Sequence, residues 1–311
     1  MTLTQLEYIV ALDAYRHFVL ASEKCFVTQP TLSMQIQKLE EELGVKIFDR
    51  TKQPVIPTEI GAGIIDQARI ILREAKMIQQ IINDQKDSMT GELRVGIIPT
   101  LAPYLLPPLF KQMREKYPQL NLIIKETITE GVISELKTNR LDCGLVVTPL
   151  KDSSIKEDVL FYEELFVYVS KKNALYDKKY VLANDIDPEQ LWLLEEGHCF
   201  RSQVLNLCEL RKRSDFHFQY ETGNIETLKR MVDKSDGITI LPELAVREFS
   251  KLQMKLVKAL KEPSPAREVS LVTHRDHIKT KLIKTLREEI LKIVPKQMQK
   301  LQNKKIVEIN Y

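Results

Sequence analysis

The sequence predicts a three-part chain: an all-α N-terminal segment with a small β wing, then a long helix, then an α/β module of two subdomains. Three observations carry this. Apolar stripes at helical spacing, with start and stop signals, fill the first 43 residues. A heptad-spaced apolar seam follows from Ile60. Beyond Glu92, short β-branched runs alternate with helical segments. The 311 residues are about twice the span of one domain. An apolar fraction of 43% with 29% charged residues excludes a disordered chain. No apolar run approaches the roughly 18 residues that would span a bilayer, so no membrane association is expected. The start lacks a basic segment followed by an apolar one, and the four cysteines are too scattered for a disulfide scaffold. A reducing, cytoplasmic setting is therefore expected. Net charge is only +3, and residues 1–87 hold 10 basic against 12 acidic side chains. A nucleic-acid reading of that region rests on pattern, not on bulk charge.

The first 57 residues read as a unit. Leu6, Ile9, Val10 and Leu12 predict a helix over Thr4–Tyr15, and a second is expected from Phe18 to Cys25. Thr28 then acts as a cap with Pro30 in the first turn, and Gly44 stops the third helix after Leu43. Leu32, Ile36, Leu39 and Leu43 form its buried stripe. Two short helices, a tight turn and a helix presenting small polar groups make the helix-turn-helix pattern. Gln29, Pro30, Thr31, Ser33, Gln35 and Lys38 are the candidate contacts to a major groove. Two short strands flank Thr51-Lys52-Gln53, a wing that sets Arg50 and Lys52 toward phosphates. The competing reading is a helical domain that packs on something else.

Residues 58–88 read as one helix of about 45 Å, capped by Thr58 and ending near Asp87. Ile60, Ile64, Ala68, Ile71, Ala75, Ile78 and Ile82 are separated by steps of 4, 4, 3, 4, 3 and 4, a seam suited to pairing with a second copy. Packing on its own domain is the alternative.

Residues 89–311 read as the α/β module. Strands are expected at Leu93–Ile98, Leu120–Thr127 and Gly144–Val147, with helices at Pro107–Tyr117 and Gly131–Arg140. This alternation predicts a mostly parallel sheet. A second set of strands is expected at Leu165–Ser170, Trp192–Leu194, His217–Tyr220 and Gly237–Leu241, before Val269–Val272 returns. Crossings near Tyr162 and Ala266 divide the module into subdomain I (about 89–162 and 267–311) and subdomain II (about 163–266). A basic helix follows, and the tail Lys296–Lys305 reads as a solvated helix end. Ligands bind such folds at strand ends, where Thr100 and Thr129 share one cleft.

The sharpest local feature runs from Glu196 to Cys208. Cys199 sits near a strand end at a helix start, flanked by His198 and Arg201. A helix N-terminus and adjacent cations lower a thiol's pKa, and a thiolate in a polar pocket attacks peroxide to give a sulfenic acid. Nine helical positions separate Cα atoms by about 13 Å. A disulfide needs them within about 7 Å, so joining Cys199 to Cys208 requires residues 200–208 to unwind. On spacing alone, two inert core cysteines are the alternative reading of the pair. There is no CxxC, and the five histidines are scattered, so no metal or cofactor is expected.

Taken together, the chain resembles the LysR family of bacterial transcription regulators over its whole length. The segment Phe26–Glu40, followed by Glu42-Leu43-Gly44-Val45, is similar to that family's recognition helix. The resemblance implies a winged helix-turn-helix, a dimerising linker helix and an effector module of two Rossmann-like subdomains, like the periplasmic binding proteins. A narrower resemblance is to the family's hydrogen-peroxide-sensing branch. It rests on Ile98-Pro99-Thr100, Pro103–Pro107, Leu141-Asp142-Cys143, Gly197-His198-Cys199 with Arg201, Gln203 and Cys208, then Glu226–Leu228 and Gly237–Pro242. It implies Cys199 as the peroxidatic thiol and Cys208 as the resolving one. Thr100, Thr129, Gly197 and His198 would form the peroxide pocket, with Arg201 keeping the thiolate charged. The implied protein is not an enzyme but a switch acting on promoter DNA of oxidative-stress genes. Its implied partners are a second copy (dimer or tetramer), RNA polymerase and a thiol reductant such as glutaredoxin or thioredoxin. The basic stretch Glu209–Ser214 departs from that branch and bears on the redox set point. The alternative on the same scaffold is a regulator controlled by a small-molecule effector in the inter-subdomain cleft.

Overall fold

The computed structural model describes residues 1–84, 90–208, 223–275, 277 and 279–308; in the long helix the side chains at 73, 76, 77 and 79–84 fall outside that description. The chain forms two compact units, Met1–Ser88 with Thr138–Arg140, and Met89–Lys137 with Leu141–Tyr311. No helix among the described residues is long and apolar enough to cross a membrane.

In the first unit, α1 (Leu3–Tyr15) opens on a capping box. Thr2 Oγ1 accepts from the Gln5 N–H, and Gln5 Oε1 accepts from the Thr2 N–H. After α2 (Phe18–Lys24), Thr28 occupies the cap position of α3 (Gln29–Leu43), but its side chain makes no cap bond. Its hydroxyl pairs instead with that of Thr31 at 2.8 Å. Gly44 ends α3 at φ +68°, a conformation costly for any residue with a Cβ. Leu32, Ile36 and Leu39 are fully buried against Leu6, Ile9 and Leu12 of α1, and each burial contributes about 1.5–3 kcal/mol. Leu43, expected in the same stripe, is 39% exposed, because the last turn of α3 overhangs the core. The wing is the antiparallel pair β1 (Phe48–Asp49) and β2 (Ile56–Pro57).

In α4 (Glu59–Asp84), Ala68 and Ile65 enter the core of this unit, and Ile64 and Ile71 pack partly against it. Ile60 and Ile78 are exposed, and the side chain of Ile82 lies outside the described residues. The middle of the expected seam thus packs on the unit itself.

In the second unit, β3 (Gly91–Ile97), α5 (Ala102–Lys116), β4 (Leu120–Glu126), α6 (Thr129–Lys137), β5 (Cys143–Thr148) and β6 (Ile155–Val169) follow in order. Next come β7 (Tyr180–Val181), α7 (Cys199–Leu207), α8 (Ile225–Lys234), β8 (Ile238–Pro242), α9 (Glu243–Arg247), α10 (Lys251–Met254) and β9 (Val257–Leu260). The chain closes with β10 (Ser264–His274), α11 (Thr280–Ile293) and β11 (Lys304–Ile306). The strand order is β4-β3-β5-β10-β6-β9-β7, with β8 also on β6 and β11 also on β10.

The sheet is mixed rather than mostly parallel. Strand β3 is parallel to β4 and β5, but β10 is antiparallel to β5 and β6, and β6 is antiparallel to β8 and β9. The reason is topological. Strands β6 and β10 run side by side from one subdomain into the other in opposite senses. Ile155 faces His274 at one end, and Glu164 faces Ala266 at the other.

Other expectations are corrected. Residues Trp192–Leu194 form no strand; only an isolated bridge joins Leu191 to Ile238. The proposed strand His217–Tyr220 lies outside the described residues. Helix α5 begins at Ala102 and contains Pro107 and Pro108, which the sequence marks as its start. Burial of Tyr104, Leu105 and Leu109 carries the helix through the prolines despite their missing donors. The tail is not a helix end: after a 3-10 turn at Lys296–Gln299 it becomes β11, parallel to β10.

Candidate thiol site and nucleic-acid interface

Cys199 is the first residue of α7, with His198 in the cap position and Gly197 before it at φ +87°. Its thiol is buried, 8% exposed. Around it stand three groups, two of them from distant parts of the chain. Thr129, the first residue of α6, places a hydroxyl beside the thiol. The N–H of Phe200 also faces the sulfur. The third is Arg267 of β10, a fully buried cation that sequence reading did not single out.

Arg267 is held on every side. Its Nε donates to Glu163 Oε2 at 2.8 Å, and its Nη2 lies 2.7 Å from the same oxygen. Nη1 donates to Thr100 Oγ1 at 2.8 Å and Nη2 to the Thr100 carbonyl at 3.2 Å. The guanidinium carbon sits 5.1 Å from the centre of the Phe200 ring. Glu163 is fully buried as well, and its other oxygen accepts from the Leu244 N–H at 2.8 Å, near the start of α9. The pair is therefore fully desolvated and fully bonded, the condition under which a buried ion pair survives.

Burial pushes the Cys199 thiol up from its ordinary pKa. The Arg267 charge, the Thr129 hydroxyl and the Phe200 N–H pull it back down, and the Glu130 carboxylate works against them. The balance is the reverse of the lowering expected from the sequence neighbours, because desolvation is the largest contribution. Those neighbours point elsewhere. Arg201 donates Nη1 to the Leu194 carbonyl at 2.8 Å, and His198 Nε2 lies 3.4 Å from Glu195 Oε1. Thr129 Oγ1 is buried and makes no hydrogen bond of ordinary geometry, although it favours the thiolate nearby. A buried hydroxyl in that state has donor and acceptor capacity for a small polar ligand.

Cys208 caps the far end of α7 and is 5% exposed. Its thiol is pushed up to about 12 by burial alone. The nine residues of α7 keep it away from Cys199. Arg267 thus links Thr100 to the Cys199 and Thr129 pair, while the Arg201 and His198 side chains bond elsewhere and Cys208 lies at the other end of α7. Cys143 is fully buried in β5, which pushes its thiol up, and Cys25 is also raised by burial. One further bond ties the subdomains: the Tyr104 hydroxyl of α5 donates to Glu226 Oε1 of α8 at 2.6 Å.

On the first unit, Gln29, Pro30, Lys38, Arg50 and Lys52 are exposed, while Thr31, Ser33 and Gln35 are half-buried. Ser33 and Gln35 do not share a face, since positions two apart on a helix diverge by about 200°. Ser33 Oγ accepts from Arg50 Nη1 of the wing, and Gln35 Oε1 accepts from Gln5 Nε2 of α1. The outward face of α3, opposite the buried stripe, adds Met34 and Gln37, both exposed and both passed over in the sequence. The fully buried carboxylate of Glu40 accepts from the Ile47 and Phe48 N–H groups and from Arg50 Nη2, so it fastens the wing to the helix. The signal for it was one acidic residue on the edge of an apolar stripe.

Comparison with known proteins agrees with this architecture. Residues 3–62 match the bacterial regulatory helix-turn-helix protein, lysR family, and residues 86–294 match the LysR substrate binding domain. The hydrogen peroxide-inducible genes activator of Haemophilus influenzae is 37% identical over 274 residues, covering 88% of this chain and 90% of that protein. The DNA-binding transcriptional dual regulator OxyR of Escherichia coli is 37% identical over 88% of this chain and 89% of its own length. A full-length OxyR variant from Pseudomonas aeruginosa superposes with a TM-score of 0.76 at 34% identity, over 94% of this chain and 98% of that one. With both domains matched in order and relatives of this similarity along most of the chain, the protein belongs to the LysR family of bacterial helix-turn-helix regulators.

Proposed function

We propose that this chain is a transcription regulator that senses hydrogen peroxide at Cys199 and records it as a Cys199–Cys208 disulfide. The observation that carries the reading is the buried thiol beside the buried Thr129 hydroxyl and near the Arg267 guanidinium, at the start of a helix whose other end is Cys208. The names of the relatives point the same way.

Chemically, the Cys199 thiolate attacks one oxygen of the peroxide. The S–O bond forms as the O–O bond breaks, sulfur loses two electrons, and the departing hydroxide takes a proton and leaves as water. Thr129 and Thr100 hydroxyls and the backbone at Gly197 hold the peroxide, and Arg267 stabilises the charge on both sides of the step. The Cys208 thiolate then attacks the sulfenic sulfur. The S–S bond forms, the S–O bond breaks, and the second hydroxide leaves as water with the Cys208 proton. The sum is two thiols and one peroxide to one disulfide and two waters. A thiol reductant such as glutaredoxin or thioredoxin reverses it. Because α7 must unwind to join its ends, the bond changes the shape of subdomain II. A homodimer or tetramer, paired in part through the exposed Ile60 and Ile78 of α4, passes that change to α3 and the wing on promoter DNA, and to RNA polymerase.

The alternative of a metabolite in the cleft is disfavoured by its contents: Arg267, Phe200 and Thr100 are buried there and bonded or stacked with one another. The test is to add about one equivalent of peroxide to the reduced protein and map disulfides by mass spectrometry after non-reducing digestion. A Cys199–Cys208 linkage supports the reading; four intact thiols refute it.

A further inference from the structure

The proposed Cys199–Cys208 bond requires helix α7 to come apart, and one part of the fold opposes that. Residues 304–308 lie beyond the matched effector domain, which ends at residue 294. They run parallel to the start of β10, with Lys304, Lys305 and Ile306 paired to Ser264, Pro265 and Ala266. The Ser264 N–H donates to the Asn303 carbonyl at 3.1 Å, and the Val307 N–H donates to the Ala266 carbonyl at 2.9 Å. Lys304 Nζ anchors the segment further, on the Tyr162 carbonyl at 3.1 Å and near Glu164. Val307 is buried.

From this position the segment reaches the helix. Gln203 Nε2 donates to the Val307 carbonyl at 3.1 Å, and Asn206 Nδ2 donates to the Glu308 carbonyl at 2.8 Å. Gln203 and Asn206 are three positions apart, on one face of the C-terminal half of α7. They sit in the stretch that must unwind for Cys208 to approach Cys199. On its other side the segment is fixed to Ala266, the residue before Arg267. The two side-chain bonds are made to the backbone carbonyls directly after a paired strand, so they cannot follow the helix as it opens.

We infer that residues 304–308 form a C-terminal strap that holds α7 in its helical, reduced form and so sets how readily the Cys199–Cys208 bond forms. This rests on the proposed disulfide, and the strap acts only on the second chemical step. Closure breaks the S–O bond of the sulfenic acid and makes the S–S bond, and neither event touches the strap. Its contribution is the pair of hydrogen bonds that must be given up as the helix unwinds. The peroxide step at Cys199 needs no unwinding and is independent of it.

The test compares the full chain with an Asn206→Ala variant and with a chain ending at Asn303. Each is equilibrated in glutathione buffers of graded poise, and the Cys199–Cys208 disulfide is quantified by non-reducing digestion. A parallel set in the Cys208→Ser background measures the rate of Cys199 sulfenic acid formation with a trapping nucleophile. Removing the strap is expected to favour the disulfide about tenfold, and Asn206→Ala about threefold, the range for one or two hydrogen bonds. The sulfenic rate stays within about twofold. If the shortened chain does not fold, Asn206→Ala alone decides. An unchanged or smaller disulfide fraction in Asn206→Ala overturns the strap, as does an equal effect on the sulfenic step. A full chain that forms no Cys199–Cys208 bond under any poise overturns the redox reading itself, a separate result.

Discussion

Replacing Arg267 by methionine separates the two things this residue does. It lies in a fully buried pair with Glu163, and removing one partner leaves the carboxylate without its counter-charge in the protein interior. Losses of about 3–5 kcal/mol are usual for that change. Thr100 also loses the donors to its hydroxyl and carbonyl, about 1–3 kcal/mol more if either is left unsatisfied. The double variant Glu163→Gln with Arg267→Met removes both charges, and the glutamine oxygen can still accept from the Leu244 N–H. Most of the stability is then expected to return, leaving a deficit of about 1–3 kcal/mol. Reactivity should not return, because the cation facing the thiolate is still gone. An attraction of about 1.4–3 kcal/mol at an effective dielectric of ~20 corresponds to a rate lower by about 10- to 100-fold. The assay pairs denaturant unfolding of the full chain with the second-order rate of Cys199 oxidation by peroxide. A double variant that reacts at the wild-type rate would refute Arg267 as the activating cation. A single variant as stable as wild type would refute the buried pair as described.

Other outcomes follow from the same geometry. Thr129→Val should slow Cys199 oxidation about tenfold with little loss of stability, since the hydroxyl acts on the Cys199 thiol and makes no hydrogen bond of ordinary geometry; a normal rate removes Thr129 from the pocket. Because burial raises the Cys199 pKa, the oxidation rate should climb steadily from pH 6 to pH 9 as the thiolate fraction grows, and a plateau below pH 7 contradicts the balance of contributions derived above. Cys208 titrates at about 12 when folded against 9.0 ordinarily, so its burial stabilises the fold fully below pH 9, and that stability is lost as pH rises toward 12. Cys208→Ala should flatten the alkaline decline in the unfolding midpoint. In the first unit, a Cβ on Gly61 would lie 2.0 Å from the Ile47 carbonyl oxygen, so Gly61→Ala should destabilise that unit by about 2 kcal/mol or more and abolish specific DNA binding. Cys199 oxidation in that variant should be normal, and intact binding would show that the backbone around Ile47 can yield.

What the sequence determined by itself lies in local physics. Pro30 and Gly44 bound α3 because start and stop signals act within one turn, with Thr28 in the cap position although its side chain makes no cap bond, and the stripe Leu32, Ile36 and Leu39 follows from a 3.6-residue period. Cys199 at a helix start and Cys208 nine residues on were legible for the same reason, and family resemblance supplied their proposed roles. The wing and the β3, β4 and β5 strands were also readable from β-branched runs. The tertiary structure alone decided the rest. Arg267 and Glu163 are 104 positions apart in sequence and meet because β6 and β10 share one antiparallel register. No window of sequence holds both, so attention fell on Arg201, which is near Cys199 in the chain but bonded to Leu194. The sequence shows only the last third of strand β6, since residues 155–164 are polar enough to pass for loop until β10 supplies their partners. The basic tail became a strand for a like reason: β11 has too few residues to show a period, and it exists because the edge of β10 at Ser264–Ala266 offers it hydrogen bonds.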